Sequence, residues 1–500
     1  MKRRDFNLGL LRMAGVGGLA GLLGRPGEGL SAGPAMVVPS AGPGLGGLSV
    51  PASSDPRLEG AYRFSRGRWI YAHLEGTPSQ IGYQHGYLLA PEIADAFKSV
   101  ALTNLRGTGK DKAFFRRAAR EMIWPKVDPE YQEEIEGIHN GLAARGVAME
   151  LDDLIWLNAM EELSDYYVPW YDAQHKVAEA IPIKSPGNCS AFVATGSWTK
   201  DHHIVIAHNS WTSYLHGERW NMIFDIAPKH GYRILMDGFP GVITSDDDFG
   251  INSNGIMITE TTITSFRGWN PEGKPEFSRA RKAMQYASSI DDYVRIMLDE
   301  NNGGYANDWL LGDRKTGEIA QFELGLKAWR VWRCKDGYYV GSNFARDPKV
   351  LAEDCPGYNS GDLSSSPNAR RVRWEQLMRQ YKGRIDVGLG KRFISDHYDS
   401  YEKKEQAGTR SLCGHGELSA TGEKVWDWGP YYPGGAITGK VADSQMTQEM
   451  RFAARRGHPC GGDFLAAPFL KAHPQYAWQE PLLHDMLAGP WTEFKTSDKT

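Results

Sequence analysis

The chain runs to 500 residues with a formal net charge of −4; 41% of it is hydrophobic and 24% charged. Those proportions describe a globular protein that dissolves in water and is long enough for several layers or domains. No basic stripe is available to displace counterions from phosphates, so nucleic acid is excluded as an expected partner.

Residues 1–35 read as an address rather than as structure. Lys2-Arg3-Arg4-Asp5-Phe6-Asn7-Leu8 resembles a twin-arginine export signal. The Gly-rich run from Leu8 to Leu23 is too short and soft to anchor, and a small-residue cleavage site falls near Ala35. An exported protein, periplasmic or extracellular, with no transmembrane anchor after signal removal, is therefore expected. Residues 36–60, rich in Gly, Pro and Ser, read as a flexible leader.

Residues 61–188 read as mainly helical. A short strand is predicted over 69–74, then a turn and helix cap at Gly76-Thr77-Pro78-Ser79. Apolar residues at helical spacing (Ile81, Leu88, Leu89, Ile93, Phe97, Val100) predict a helix over 79–105. Further helices are predicted over 112–124, 129–145 and 151–163.

After Cys189 the texture changes to strands, predicted over 190–195, 203–208, 232–236, 256–262, 319–324, 328–333 and 338–341. Cys334-Lys335-Asp336-Gly337 is a hairpin signal between the last two. Helices are predicted over 278–287, 290–301, 369–381 and 391–401. Separate runs of strands and helices point to a layered α+β protein rather than to repeated βαβ units.

Cys189 stands where the loop Pro186-Gly187-Asn188 becomes a strand, with no second cysteine near it in sequence. A thiol attacks a carbonyl carbon as thiolate, and an ordinary cysteine is only a few per cent ionised at neutral pH. One remedy is a histidine elsewhere in the fold. Another is to cut the chain just before the cysteine, so that its own α-amine, with a pKa of about 7.7–8.0, becomes the base. The second design requires a nucleophile that begins a strand directly after an accessible loop, and Cys189 satisfies that requirement.

The stretch Cys189-Ser190-Ala191-Phe192, the hairpin after it and His208-Asn209-Ser210-Trp211 resemble the start of the catalytic chain of phospholipase B-like proteins, which are N-terminal nucleophile hydrolases. The likeness continues in Phe239-Pro240-Gly241, in Gly255-Ile256-Met257-Ile258-Thr259-Glu260-Thr261-Thr262 and in the run from Tyr432 to Val441. It ends in Gly457-His458-Pro459, Leu483-His484 and Trp491. Gly82-Tyr83-Gln84-His85-Gly86 is also similar to the opening helix of penicillin acyltransferase-like cysteine hydrolases.

The resemblance implies a four-layer αββα sandwich of two stacked antiparallel sheets and self-cleavage between Asn188 and Cys189. The helical piece 61–188 would be released from, or retained with, a catalytic piece 189–500. Cys189 would be nucleophile and its freed amine the base, with Asn343 donating to the oxyanion. His208 and Asn209 stand where related hydrolases carry Arg-Asn-x-Asp, whose aspartate is here Trp211. Arg370 or Arg371 would supply a site arginine.

The expected substrate is a small molecule with an acyl ester or amide bond, phospholipid among the candidates. An acyltransferase or amidase of the penicillin type and a non-catalytic binding protein are the alternatives.

Each of these residues also has an ordinary reading. His208 and Asn209 could simply end a strand, Asn343 could close a turn, and helix arginines are normally solvated. Asp246-Asp247-Asp248 lacks calcium-loop spacing and reads as a solvated or capping turn. Cys334, Cys355, Cys413 and Cys460 could pair in three ways or stay free. With no HExxH or CxxC, neither a metal site nor a cofactor is expected. No oligomeric state is implied.

Overall fold

The computed structural model describes residues 55–176, 189–246 and 249–499. The export signal, most of the leader, Asn188, Asp247 and Asp248 lie outside them. Residues 55–60, predicted to end the leader, are ordered: Tyr83 Oη donates to Asp55 Oδ2 at 2.7 Å.

Two strands open the described chain, β1 (Tyr62–Arg66) and β2 (Trp69–Gly76). Helical segments follow as far as Gln174. Next come β3 (Ser190–Thr195), β4 (Val205–Ser213) and β5 (Met222–Pro228). The chain then forms β6 (Ile234–Gly238), β7 (Phe249–Asn252) and β8 (Ile256–Thr262).

Helices Glu276–Tyr286 and Ile290–Leu298 precede β9 (Asn307–Asp313) and β10 (Glu318–Leu324). β11 (Trp329–Cys334) and β12 (Gly337–Gly341) come next. Beyond helices Ser366–Gln380 and Val387–Phe393 lies a small pair, β13 (Tyr398–Asp399) with β14 (Lys404–Glu405). The chain closes with β15 (Gly434–Asp443), β16 (Arg451–Arg456) and β17 (Thr492–Lys495).

The strands form a nine-stranded sheet, β1-β2-β5-β6-β7-β8-β9-β10-β11, and a six-stranded sheet, β12-β3-β4-β15-β16-β17. Side-chain alternation sorts them into layers. Trp69, Tyr71, Ile223, Leu235 and Leu310 of the large sheet meet Ala191, Val193, Ile206 and Phe452 of the small one. Ala72, Leu74, Phe224, Ile258 and Phe322 face the other way, into the helices of residues 78–174 and 276–298. Phe192, Ala194, Val205 and Ala207 pack on Trp374, Leu377 and Phe393 of the later helices. The αββα sandwich is the observed architecture.

One strand pair departs from the expected antiparallel pattern. β2 and β5 run parallel, because the long helical excursion between them returns the chain in its original direction.

Other differences have local causes. The helix expected over 79–105 is two, Pro78–Leu88 and Ala90–Thr108. Pro91 supplies no N–H to the preceding turn and is suited to a helix start. The helix expected over 391–401 stops at Phe393. Asp396 Oδ1 then accepts from Tyr398 N at 3.1 Å, so a side chain takes over from the helical ladder.

The hairpin signal at Cys334–Gly337 does not make a hairpin. β11 pairs with β10 in one sheet, and β12 pairs with β3 in the other. The turn reverses the chain locally while carrying it across the sandwich.

Glycines bring the first helix onto its neighbour. Gly82 and Gly86 lie against Gly137 and Gly141 of helix Pro129–Ala144, and a Cβ at Gly82 would fall 1.9 Å from Glu134 O. His85, between the two glycines, accepts from Gly241 N at 3.0 Å. The segment before β7 is thereby tied to the helical layer.

Candidate active site

Cys189 immediately precedes β3 and is 2% exposed. Its backbone is held on both sides of Cα. Its N–H donates to Asn343 Oδ1 at 3.1 Å, and its carbonyl accepts from Arg370 Nη1 at 2.6 Å. From β8 of the other sheet, Glu260 brings Oε1 to 3.7 Å from Sγ. The thiol, Glu260 and His208 of β4 place ligand-type atoms within 4.8 Å of one another.

Asn343 has φ +68, a left-handed conformation that asparagine tolerates better than most residues. Its Oδ1 accepts from Cys189 N and also from Arg370 Nη2 at 2.7 Å, while its Nδ2 donates to Thr262 O at 2.9 Å. The oxygen end of the amide faces the cysteine nitrogen, and one of its two N–H bonds goes to the Thr262 carbonyl.

Arg370, on helix Ser366–Gln380, is fully buried. It also donates to Ser190 Oγ at 3.0 Å, Ser342 O at 3.2 Å and Ser366 Oγ at 2.9 Å. Its guanidinium lies 4.4 Å from the Trp211 ring centroid and 5.3 Å from that of Trp426. Burial pulls its pKa down to about 9 while the neighbouring Cys189 pulls it back up, so it stays cationic at neutral pH. A fixed positive charge beside a thiol favours the thiolate.

Arg371 does not reach the site. It points along its helix to Glu375 at 3.5 Å and over Phe344. Asn209 is close but engaged elsewhere: Oδ1 accepts from Ser190 N and Trp211 Nε1, each at 3.0 Å. Its Nδ2 donates to Ile394 O and Leu412 O. It fixes the start of β3 rather than facing the thiol.

His208 is held neutral, since burial and the charge of Lys440 press its pKa well below the ordinary histidine value. Lys440 of β15 and Asp237 of β6 form an ion pair at 2.8 Å with both side chains fully buried. The pair crosses between the sheets, and Lys440 Nζ also donates to Thr438 Oγ1 at 2.9 Å.

A narrow cavity opens beside the thiol, walled by Glu161, Ser210, Trp211, Trp220, Asp246 and Tyr305. Burial, then Asp246 and Asp165, drive the Glu161 carboxyl well above the carboxylate range. Asp246 was expected in a solvated or capping turn. It is instead buried at φ +61 beside this cavity.

Sequence reasoning passed over Glu260, Lys440 and Asp237. The available signal was a charged residue inside an otherwise apolar strand, as in Ile256-Met257-Ile258-Thr259-Glu260 and Ala436-Ile437-Thr438-Gly439-Lys440.

The family model for phospholipase B matches residues 109–354, a span that includes Cys189, His208, Glu260 and Asn343. Over that span the chain is similar to phospholipase B. A putative phospholipase B-like 3 from Caenorhabditis elegans is 26% identical over 389 residues, covering 67% of this chain and 64% of that protein. Phospholipase B-like 1 from Bos taurus is 26% identical over 263 residues, covering 47% of this chain and 48% of that one.

The chain thus spans about half to two thirds of the length of these curated relatives. Among solved structures, a conjugated bile acid hydrolase variant from Clostridium perfringens aligns with 13% identity and a TM-score of 0.30, covering 61% of this chain and 97% of that one.

Proposed function

We propose that the protein is an exported, self-processing cysteine hydrolase that cleaves acyl ester or amide bonds, with Cys189 as nucleophile. The observation that carries this reading is the grip on the Cys189 backbone. Asn343 accepts from its nitrogen and Arg370 donates to its carbonyl, while the sulfur lies at a cavity.

In the uncut chain, Glu260 is the thiol's hydrogen-bond acceptor and is placed to take its proton. The sulfur then attacks the Asn188 carbonyl, and the acyl group moves from the Cys189 nitrogen to its sulfur as Glu260 passes the thiol proton to the departing nitrogen. Water hydrolyses that thioester, leaving a C-terminal carboxylate at Asn188 and a free thiol and α-amine at Cys189.

The new amine keeps Asn343 Oδ1 as its acceptor, which orients it as a base. It takes the thiol proton, and the thiolate attacks the substrate carbonyl. The protonated amine then returns that proton to the leaving alcohol or amine, leaving an acyl-thioester. Water, deprotonated by the same amine, releases the acid and restores the thiol.

Family likeness supports a hydrolase, and the names of the relatives favour phospholipid-type acyl chains as the substrate class. Intact-mass analysis of the purified protein tests the reading. Two associated pieces are expected, one beginning at Cys189, and Cys189→Ala should give one uncut chain with no acyl release. Acyl release by a Cys189→Ala protein would overturn it.

A further inference from the structure

Away from the cavity, four side chains of the types that bind soft divalent metals converge. His397 follows helix Val387–Phe393, Cys413 and His415 precede β15, and Cys460 follows β16. One ligand atom from each lies within 4.8 Å of those of the other three. His415 Nε2 stands 3.5 Å from Cys413 Sγ and 3.6 Å from Cys460 Sγ.

A tetrahedral zinc ion, with bonds of about 2.3 Å to sulfur and about 2.05 Å to nitrogen, holds its sulfur and nitrogen ligands about 3.6 Å apart. The two sulfur-to-nitrogen separations at His415 therefore match two edges of such a tetrahedron.

The surroundings match as well. His415 Nδ1 lies 2.8 Å from Glu417 Oε1, which fixes the tautomer and turns Nε2 towards the two sulfurs. A carboxylate behind a ligating histidine is the usual outer partner of a metal site. Nε2 of His397 is buried with no hydrogen-bond partner. Cys413 and Cys460 are free thiols rather than a disulfide.

We propose that His397, Cys413, His415 and Cys460 form a tetrahedral structural site for a zinc-class divalent cation. Two thiolates and two neutral imidazoles satisfy such an ion completely, leaving no open position for substrate.

The consequence reaches the catalytic strand. The carbonyls that hold the Asn209 amide belong to Ile394 and Leu412, on the two segments that carry His397 and Cys413. Asn209 in turn accepts from Ser190 N, next to the nucleophile. The metal would clamp together the loops on which the start of β3 rests, a positioning role through Asn209.

The test uses the full chain, untagged, loaded with Zn²⁺ and then desalted. Plasma mass spectrometry should find about one zinc per chain. Cys460→Ser should lose it to background, and Cys334→Ser, outside the cluster, should retain it. Replacement by Co²⁺ should give thiolate-to-cobalt charge-transfer absorption and tetrahedral visible bands.

Zinc at background in the unmodified chain, or a Cys413–Cys460 disulfide found by non-reducing peptide mapping, would overturn the proposal. So would full zinc retention by Cys460→Ser. If that variant does not fold, the cobalt spectrum of the unmodified chain decides: absence of the thiolate band overturns the site. None of these readouts depends on hydrolase activity, so the site and the proposed function can fail separately.

Discussion

The thiol at Cys189 and the thiols at Cys413 and Cys460 are held in opposite ways. At Cys189 the restraint is on the backbone: Asn343 holds the nitrogen and Arg370 the carbonyl. At Cys413 and Cys460 the side chains themselves converge, with His415 Nε2 against both sulfurs. A nucleophile needs a fixed base of operations and a sulfur at a cavity. A ligand needs its sulfur fixed and no cavity at all.

The largest effect that would sharpen this contrast is on chemistry. Cys189→Ala should lower acyl release at least about a thousandfold, because the attacking atom is gone. Cys460→Ser should instead lower thermal stability and reduce turnover only partly, as the loops that hold Asn209 loosen; equal loss of turnover in both variants would erase the distinction.

Next in size is the ion pair that spans the sheets beneath the site. Lys440→Met should cost about 3–5 kcal/mol in denaturant unfolding, because Asp237 is left charged and buried. Lys440→Met combined with Asp237→Leu should recover most of that loss. If the double variant is no better than the single, the pair does not act as a unit.

A smaller effect is read from pH. His85 is pressed to about 3 by burial and Arg281, His216 to about 4 mainly by burial, and His208 well below its ordinary value by burial and Lys440. Their folded values lie below the unfolded value of about 6.5, so the unfolded chain binds more protons as pH falls. Stability should be flat with respect to these groups above pH 6.5 and decline from about 6.5 towards 4. Each contributes up to about 1.4 kcal/mol per pH unit in that window. Glu161 and Glu323, raised by burial, oppose the histidines over the same window. The measurement is therefore the pH 7-to-5 difference in denaturant unfolding of the unmodified chain against His216→Gln. The variant should lose less stability on acidification, and an unchanged difference would contradict this account.

Smallest is Arg371→Ala, expected to change stability by no more than about 0.5 kcal/mol, since its partner is an i,i+4 glutamate. Turnover should not change. Arg370→Ala, one residue away, should leave the Cys189 carbonyl and Asn343 without their donor and cost about 3 kcal/mol or more.

Much of this frame was legible residue by residue. The strand 190–195 and the change from helical to extended texture at Cys189 followed from apolar periodicity. Cys189 and Arg370 are both buried, and the arginine donates to the cysteine carbonyl. Asn343 was legible as a candidate site position, but not which end of its amide meets Cys189, because a motif names a residue and not the direction of its amide. Arg370 and Arg371 could not be told apart, since successive helix residues point about 100° apart and only packing decides which one is inside.

The hairpin signal at Cys334–Gly337 misled for a related reason. A turn is a local property, whereas the choice of sheet edge depends on which distant strand is free to pair. The Cys/His cluster carried no motif for the same reason again. Its members come from three loops, with His397 sixteen residues ahead of Cys413 and Cys460 forty-five residues beyond His415.

By itself, the sequence determined the alternation of buried faces, the layered class of the fold and the placing of one cysteine at the mouth of a strand. These depend on short-range periodicity and turn chemistry, which neighbouring residues settle among themselves. Only the tertiary structure decided which amide end meets Cys189, which arginine is buried, that Glu260 reaches across from the second sheet, and that four scattered ligand-type side chains share one point. Those are contacts between segments remote along the chain, and they exist only once the closing of the two sheets has removed water from between them.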